Sequence, residues 1–338
     1  MRRRVHRINK AGDLNDLKLI EEDLPDPSET EITVKTEAVG LNFADIFALT
    51  GLYSATPKGS FIPGLEYSGT VIKTGRDVSR FKAGDKVMGV TRFGAYADHL
   101  NIDEKYAYPI PAGWTMEEGA AFIAQGLTAY YALIELGGLK KGQTVLIHSA
   151  AGGVGILANR IARKFEAYTI GCVGNESKLE VLKQEGFMDG FVRGEDFRYR
   201  LEKTLNNRDL HLVLECNGGS IFQDSYTALS PGGRIVTYGS ANFTPSGSSP
   251  NWFVTIFNYL TRPMIDPLHM PTENKSVMAF NLIWLWDKIE ELSSMLESLL
   301  KLDLKPQRIG HIFPFEKARE ALELFKSGTT VGKVVLKV

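Results

Sequence analysis

Thr144-Val145-Leu146-Ile147-His148-Ser149-Ala150-Ala151-Gly152-Gly153-Val154-Gly155 is the stretch on which the reading of this chain turns. The apolar run Val145 to Ile147 makes a buried strand, the small residues after it make a tight turn, and a helical period begins near Val154 and continues to Phe165. Strand, glycine turn and helix in that order open a βαβ unit, and the helix start presents free N–H groups and positive dipole to an anion. Gly152 lets a pyrophosphate approach the backbone, and Gly155 lets the helix pack closely on the sheet. Ala150 stands where the usual G-x-G-x-x-G has its first glycine, so an isolated match would also fit a plain structural turn. The βαβ setting favours nucleotide binding.

Downstream the alternation continues. Strands are expected at Tyr168 to Val173, Phe191-Val192, Leu210 to Glu215 and Arg234 to Tyr238. Helices are expected at Ser177 to Glu185, around Arg200 to Leu205, and at Phe222 to Leu229. Such βα alternation with near-continuous apolar strands implies an α/β fold, a doubly wound parallel sheet covered on both faces. Upstream, a helix from Leu127 to Leu136 ends at the Gly137-Gly138 C-cap signal. Before it the chain reads as short strands, Glu31 to Val39, Ser68 to Thr74, Lys86 to Val90 and Ala95 to Leu100, with glycines at turn spacing. That pattern suits a compact β-barrel-like unit. From about Asp266 the chain is expected to leave the parallel sheet, form an amphipathic helix over Leu285 to Lys301 and another over Phe315 to Ser327, and close with a strand from Gly332 to Val338.

The 338 residues correspond to about two domains. Lys plus Arg total 39 and Asp plus Glu total 40, a formal net charge of -1, so no general polyanion binder announces itself and no nucleic-acid role is expected. The two cysteines, Cys172 and Cys216, form no CxxC pair, which excludes a disulfide scaffold and a cysteine-rich structural zinc site. Met1-Arg2-Arg3-Arg4-Val5 is basic, yet no long apolar run follows; a presequence is the competing reading, and the early acids Asp13, Glu21, Glu22 and Asp23 argue against it. The expected compartment is the cytoplasm.

An NAD site places Asp or Glu at the end of the second strand, about 20 residues past the glycines, to hold the ribose hydroxyls. Here that strand ends Cys172-Val173-Gly174-Asn175, with Glu176 one residue on. Ser177 and Lys178 follow, and Arg193 lies after the next strand, so cationic groups are available for a 2'-phosphate. NADPH is favoured over NADH. The plainer reading leaves Lys178 on a solvated helix start.

The chain resembles the zinc-free branch of the medium-chain dehydrogenase/reductase superfamily, the quinone oxidoreductases and zeta-crystallin-like proteins. The resemblance is carried by Ala38 to Asp45, Thr50-Gly51-Leu52-Tyr53, Pro63 to Gly69, Gly84-Asp85-Lys86-Val87, Gly126 to Tyr130 and Ala150 to Gly155. Tyr238 to Asn242, Phe280-Asn281-Leu282, Pro314 to Ala318 and Val331 to Val334 look most like the subgroup around the synaptic vesicle amine transport protein homologues. The resemblance implies a GroES-like catalytic domain built from both chain ends around an inserted Rossmann domain, with segments 1–125, 126–265 and 266–338. Zinc-dependent relatives carry a cysteine and a histidine in the stretches matching Asn42 to Asp45 and Gly64 to Glu66; neither ligand is present, so no metal is expected.

A hydride donor without a Lewis acid suits an electron-poor acceptor, a quinone or an α,β-unsaturated carbonyl. The resemblance sets Tyr53 and Asn42 beside the nicotinamide as catalytic candidates, Tyr53 as proton or hydrogen-bond donor and Asn42 as an anchor; the alternative is that they merely satisfy buried backbone groups. Asp45 reads as structural. Cofactor contacts carry onto Asn42, Thr128, Ala151, Gly152, Gly153, Val154, Gly174, Lys178, Arg193, Asn217, Tyr238, Ser240, Phe280, Asn281 and Lys333, the last reaching a phosphate. Many relatives have a tyrosine for the adenosine phosphate where Arg193-Gly194 stands here.

The aromatic segment Trp252 to Leu260, followed by Pro263, Pro267 and Pro271, reads either as core or dimer interface, or as a lid or a surface that meets lipid or a partner. The leading expectation is a homodimeric NADPH-dependent reductase of small quinones or enones. Its rivals are a non-catalytic nucleotide-binding protein with a membrane or protein partner, and an enoyl-thioester reductase, for which no basic cluster beyond Lys58 lies near Tyr53.

Overall fold

The computed structural model describes residues Met1–Val338. Six parallel strands form one sheet in the spatial order Asp189–Val192, Tyr168–Val173, Thr144–Ile147, Leu212–Glu215, Arg234–Thr237, Ser276–Ala279. Val145, Leu146, Ile147, Val213 and Leu214 are fully buried, as strands covered by helices on both faces require. The chain winds outward from Thr144–Ile147 in one direction and resumes on its other side at Leu212–Glu215. This reversal opens a crevice at the C-terminal ends of those two strands.

A second, seven-stranded sheet runs Ile309–Pro314, Lys333–Lys337, Glu31–Gly40, Glu66–Thr74, Lys86–Val90, Ala107–Pro109, with His99–Asp103 also paired to Glu31–Gly40. Irregular register between Glu31–Gly40 and Glu66–Thr74 bends this sheet around its own core of Val34, Val39, Tyr67, Val71, Val334 and Leu336. Gly69 is needed at the bend, because an added Cβ would lie 2.1 Å from the Lys35 carbonyl oxygen. Both chain ends build this unit, and the parallel sheet lies between them in sequence. The α/β architecture with a barrel-like β domain is the expected one.

Local expectations differ in four places. The parallel sheet does not end at 265: its sixth strand is Ser276–Ala279, paired with Arg234–Thr237. The helix Ile289–Leu300 also stays with that unit, burying Leu292, Met295, Leu296 and Leu299 against the helix Ile123–Tyr130. Gly126 permits the approach, since a Cβ there would meet Leu299 at 2.7 Å. The return to the β domain therefore falls after Leu300, because the long insertion after Thr237 comes back to complete the sheet before leaving it.

The other three are smaller. Residues 95–97 form no continuous strand: Tyr96 N–H donates to Pro63 O at 3.0 Å, Ala97 makes an isolated antiparallel bridge to Val5, and the strand begins at His99. The helix Ile123–Tyr130 continues into a π-helical turn, Tyr131–Leu136, whose wider winding sets Tyr131 beside Phe280 with ring centroids 4.9 Å apart. The amphipathic helix begins at Ile289, after a short 3₁₀ turn over Leu282–Leu285. No helix is long and apolar enough to cross a membrane.

Candidate active site

Ser149 ends the central strand with a positive φ of 48°, an uncommon value for serine that turns the chain sharply into the glycine loop. Gly152 caps the helix Gly153–Lys164 and bridges to Gly332, and the N–H groups of Val154 and Gly155 make no backbone hydrogen bond. They are the unsatisfied donors of a helix start, open to an anion. A Cβ on Gly155 would lie 2.6 Å from Ala150 Cα and 2.7 Å from Ser149 O, so only glycine lets the helix sit this close to the turn. A Cβ on Gly152 would meet only Ser149 O, at 3.1 Å, which leaves its outer face clear.

The loop is also held from the β domain. Gly332 N–H donates to Ala151 O at 2.8 Å, and the buried Gln307 amide donates to both Gly153 O and Gln125 Oε1 at 2.9 Å. Neither glutamine was singled out in the sequence, where isolated amides carry no motif.

Gly174, at the tip of the second strand, is exposed, and the Arg193 guanidinium lies against it, 3.3 Å from where a Cβ would be. Arg193 donates to Asn217 Oδ1, which brings the third strand's end to the fourth's. Asn217 Nδ2 is buried with no partner, as are Glu215 Oε2 and Thr237 Oγ1 at neighbouring strand ends. Orphaned polar atoms beside free helix N–H groups and a guanidinium fit a nucleotide carrying an extra phosphate. Lys178 is placed differently from the expectation: it is 9% exposed and donates to Gly328 O at 2.6 Å, a link to the β domain. Burial lowers its pKa, with Arg193 acting in the same direction. Glu176 is exposed, and Ser177 Oγ donates to Asn175 Oδ1. Ser240 is exposed, Val154 is half-buried, and the Thr128 hydroxyl bonds back to Ala124 O at 2.7 Å.

Asn42, Asp45, Glu66 and Lys333 form one buried network. Asn42 precedes the helix Phe43–Leu49, and its backbone N–H donates to Asp45 Oδ2 at 2.8 Å, closing a capping box. The Asn42 amide donates to Glu66 Oε1 at 2.9 Å and accepts from Lys333 Nζ at 3.0 Å. Lys333 is fully buried and ion-paired with Glu66. Glu66 Oε2 accepts from Ala124 N–H at 3.1 Å, satisfying a helix-start donor.

This network gives two residues expected at the cofactor, Lys333 and Asn42, partners within the protein. Lys333 points its buried ammonium at Glu66 and Asn42, where its desolvation is offset by the carboxylate it pairs with. Asn42 spends its amide on Glu66 and Lys333, and positions the helix start. Burial raises the Asp45 carboxyl to about 7, against the lowering effects of the Asn42 N–H and Lys333. Asp45 accepts from Tyr96 Oη at 3.3 Å, which agrees with its structural reading. No group of three or more His, Cys, Asp or Glu side chains stands together as a metal site.

Tyr53 and Asn281 do meet. The Tyr53 hydroxyl donates to Asn281 Oδ1 at 2.8 Å, joining the β domain to the segment just past the sixth parallel strand. Burial pushes the Tyr53 hydroxyl up to about 12, so it keeps its proton near neutrality and acts as a hydrogen-bond donor. Phe280 lies between Tyr131 and Tyr238, with centroids 4.9 and 6.3 Å away, and Phe93 packs edge-on to Tyr53 at 6.5 Å. Aromatic rings thus gather around one fixed phenol where the two units meet.

Comparison with known proteins agrees with this geometry. Residues 28–112 match the alcohol dehydrogenase GroES-like domain family, and residues 153–262 match the zinc-binding dehydrogenase family. The human synaptic vesicle membrane protein VAT-1 homolog is 34% identical over 317 residues, covering 92% of this chain and 80% of that protein. Quinone oxidoreductase 1 of Escherichia coli K12 is 31% identical, covering 97% of this chain and 98% of that one. Among solved structures, Escherichia coli quinone oxidoreductase complexed with NADPH superposes with a TM-score of 0.85 at 28% identity, with all of both chains covered. The human VAT-1 homolog-like protein superposes with a TM-score of 0.85 at 26% identity, covering 100% of this chain and 98% of that one. With both domain families matched and relatives aligned over nearly its whole length, the chain belongs to the medium-chain dehydrogenase/reductase superfamily, in the branch that holds the quinone oxidoreductases and VAT-1 homologues.

Proposed function

We propose that the protein is a zinc-independent NADPH-dependent reductase of quinones or α,β-unsaturated carbonyls. The observation that carries this reading is the Tyr53–Asn281 hydrogen bond, which fixes a phenol donor where the β domain meets the end of the nucleotide sheet. NADPH, when bound, supplies the hydride. The glycine loop and Arg193 hold its phosphates, the aromatic rings exclude water, and Tyr53 turns its single O–H from Asn281 Oδ1 to the acceptor oxygen, donating a hydrogen bond as negative charge develops there. A proton from solvent completes the reduction. Asp45 and Glu66, in the stretches that hold zinc ligands in metal-dependent relatives, are occupied by Asn42, Tyr96, Ala124 and Lys333, which supports chemistry without a metal.

Tyr53→Phe is expected to lower kcat for quinone reduction by roughly 10²-fold, the scale of one lost oxyanion donor. NADPH affinity, read by titration, should stay within about twofold, since the lost hydroxyl contacts the developing charge. Unchanged kcat would remove Tyr53 from the mechanism. Absence of turnover across a quinone and enone panel, with NADPH bound, would favour the non-catalytic reading.

We further propose a homodimer. The helix Trp252–Leu260 buries none of its residues: Phe253 is 90% exposed, Leu260 72% and Phe257 65%. At roughly 200 Å² per aromatic side chain, its four aromatics expose about 500 Å², a large part of the ~800 Å² each partner contributes to a stable interface. The strand Ser276–Ala279 ends the sheet with one edge unpaired, and a second copy could cover both features. Phe253→Asp with Phe257→Asp should convert a dimer to a monomer by analytical ultracentrifugation. A monomeric wild type would overturn the dimer and favour a lipid or protein partner for this helix. The two free cysteines suit a reducing compartment, which supports the cytoplasm.

A further inference from the structure

The turn at 91–94 is pinned at both ends. Thr91 N–H donates to Leu65 O and its hydroxyl to Gly64 O, each at 2.8 Å, while Gly94 N–H donates to Ile62 O at 2.9 Å. Between them Phe93 has a φ of 92°, a left-handed value that an aromatic residue adopts only at a cost. The conformation sends neighbouring side chains opposite ways. The Phe93 ring goes inward, 5.6 Å from Phe61 and 6.5 Å from Tyr53, and the Arg92 guanidinium goes outward over the Trp284 ring, 5.5 Å from its centroid.

Trp284 is itself fixed to the cleft. Its indole N–H donates to Ser54 Oγ at 3.2 Å, next to Tyr53, and its backbone N–H donates to Asn281 O at 3.1 Å. The Arg92–Trp284 pair therefore stands one layer outside the Tyr53–Asn281 bond. Arg92 is exposed and its guanidinium makes no ion pair or hydrogen bond within the chain. Asp287, three residues past Trp284, does not pair with it either. A guanidinium held over a ring with no other partner keeps its N–H donors free, in the fork that matches a carboxylate.

We propose that Arg92 selects acceptors bearing an anionic, carboxylate-like substituent, held at the cleft mouth while the flat electron-poor ring reaches Tyr53. This rests on the reductase reading for the ring, and on the Arg92–Trp284 geometry alone for the anion. Strain held at Phe93 fits a turn whose conformation aims a binding group.

The test compares 2-naphthoate with 2-naphthamide by calorimetry, in the presence of NADP, and 1,2-naphthoquinone-4-sulfonate with 1,2-naphthoquinone in turnover. Wild type should bind the naphthoate at least ~10-fold more tightly than the amide, the scale of a charge-assisted hydrogen bond. Arg92→Ala should abolish that preference and lower the sulfonate-to-neutral kcat/KM ratio by roughly 10-fold or more, with Arg92→Lys keeping part of both. Equal binding of the two probes to wild type, or a preference that survives in Arg92→Ala, would overturn the assignment. Turnover of neither quinone with the naphthoate preference intact would leave Arg92 assigned and defeat the reductase reading instead.

Discussion

Glu66→Ala is expected to lower the stability of the protein by about 3–5 kcal/mol, the cost of leaving a buried charge without its partner. Lys333 sits at 0% exposure, and burial drives its ammonium pKa down while Glu66 and then Asp45 pull it back up. Removing Glu66 leaves desolvation the dominant influence. It also strips the Asn42 amide and Ala124 N–H of their acceptor. At roughly 2–4 °C per kcal/mol for a chain of this class, the unfolding midpoint should fall by about 6–20 °C. The double variant Glu66→Leu with Lys333→Met, which removes both charges and keeps the volume, should recover most of the loss. Thermal unfolding checks both. A Glu66→Ala protein within about 1 kcal/mol of wild type would mean that water reaches Lys333.

The second large effect is expected at the glycine loop. Gly155→Ala would place a methyl group 2.6 Å from Ala150 Cα, 2.7 Å from Ser149 O and 2.8 Å from Ala150 C. All three are backbone atoms of the turn, so no side chain can swing aside. Either the helix Gly153–Lys164 withdraws or the turn deforms, at about 1–3 kcal/mol or more. Both responses move the free N–H groups of Val154 and Gly155, and NADPH should bind at least ~10-fold more weakly by titration. Gly152→Ala makes the contrast, since its Cβ would meet only Ser149 O at 3.1 Å. It should be the milder of the two in stability. Equal NADPH affinity in wild type and Gly155→Ala would show that the nucleotide does not use this helix start.

Much of the fold was legible because its signals are local. The strand Tyr168–Val173 falls where the apolar run placed it, and the strands Thr144–Ile147 and Lys333–Lys337 lie within their expected spans. The sixth strand was missed. Ser276–Ala279 is short and exposed at both ends, and it lies at the sheet edge, where only one neighbour and a half-open face demand little apolar character. The π-helical turn at Tyr131–Leu136 was also illegible, since its apolar pattern differs little from an ordinary helix over so few residues.

At the candidate site, the glycine turn was reachable from spacing, and the family resemblance set Tyr53 and Asn281 separately at the nicotinamide; the hydrogen bond between them was not foreseen. The partners that Asn42, Lys178 and Lys333 find within the protein were not foreseen either. Their residue types suit anions and amides alike, and the choice depends on what folds beside them. Lys333 meets Glu66 across 267 residues, and Lys178 meets Gly328 across 150.

The sequence by itself therefore determined the order of strands and helices, the phosphate-binding turn and the family, because dihedral preference, hydrophobic period and motif spacing act within short stretches of chain. Only the tertiary structure decided that a lysine offered to a phosphate is buried against a carboxylate, that Arg92 stands free over Trp284, and that an aromatic helix lies uncovered. Each depends on which distant groups share a small volume, and on whether a charge left there finds a partner or water.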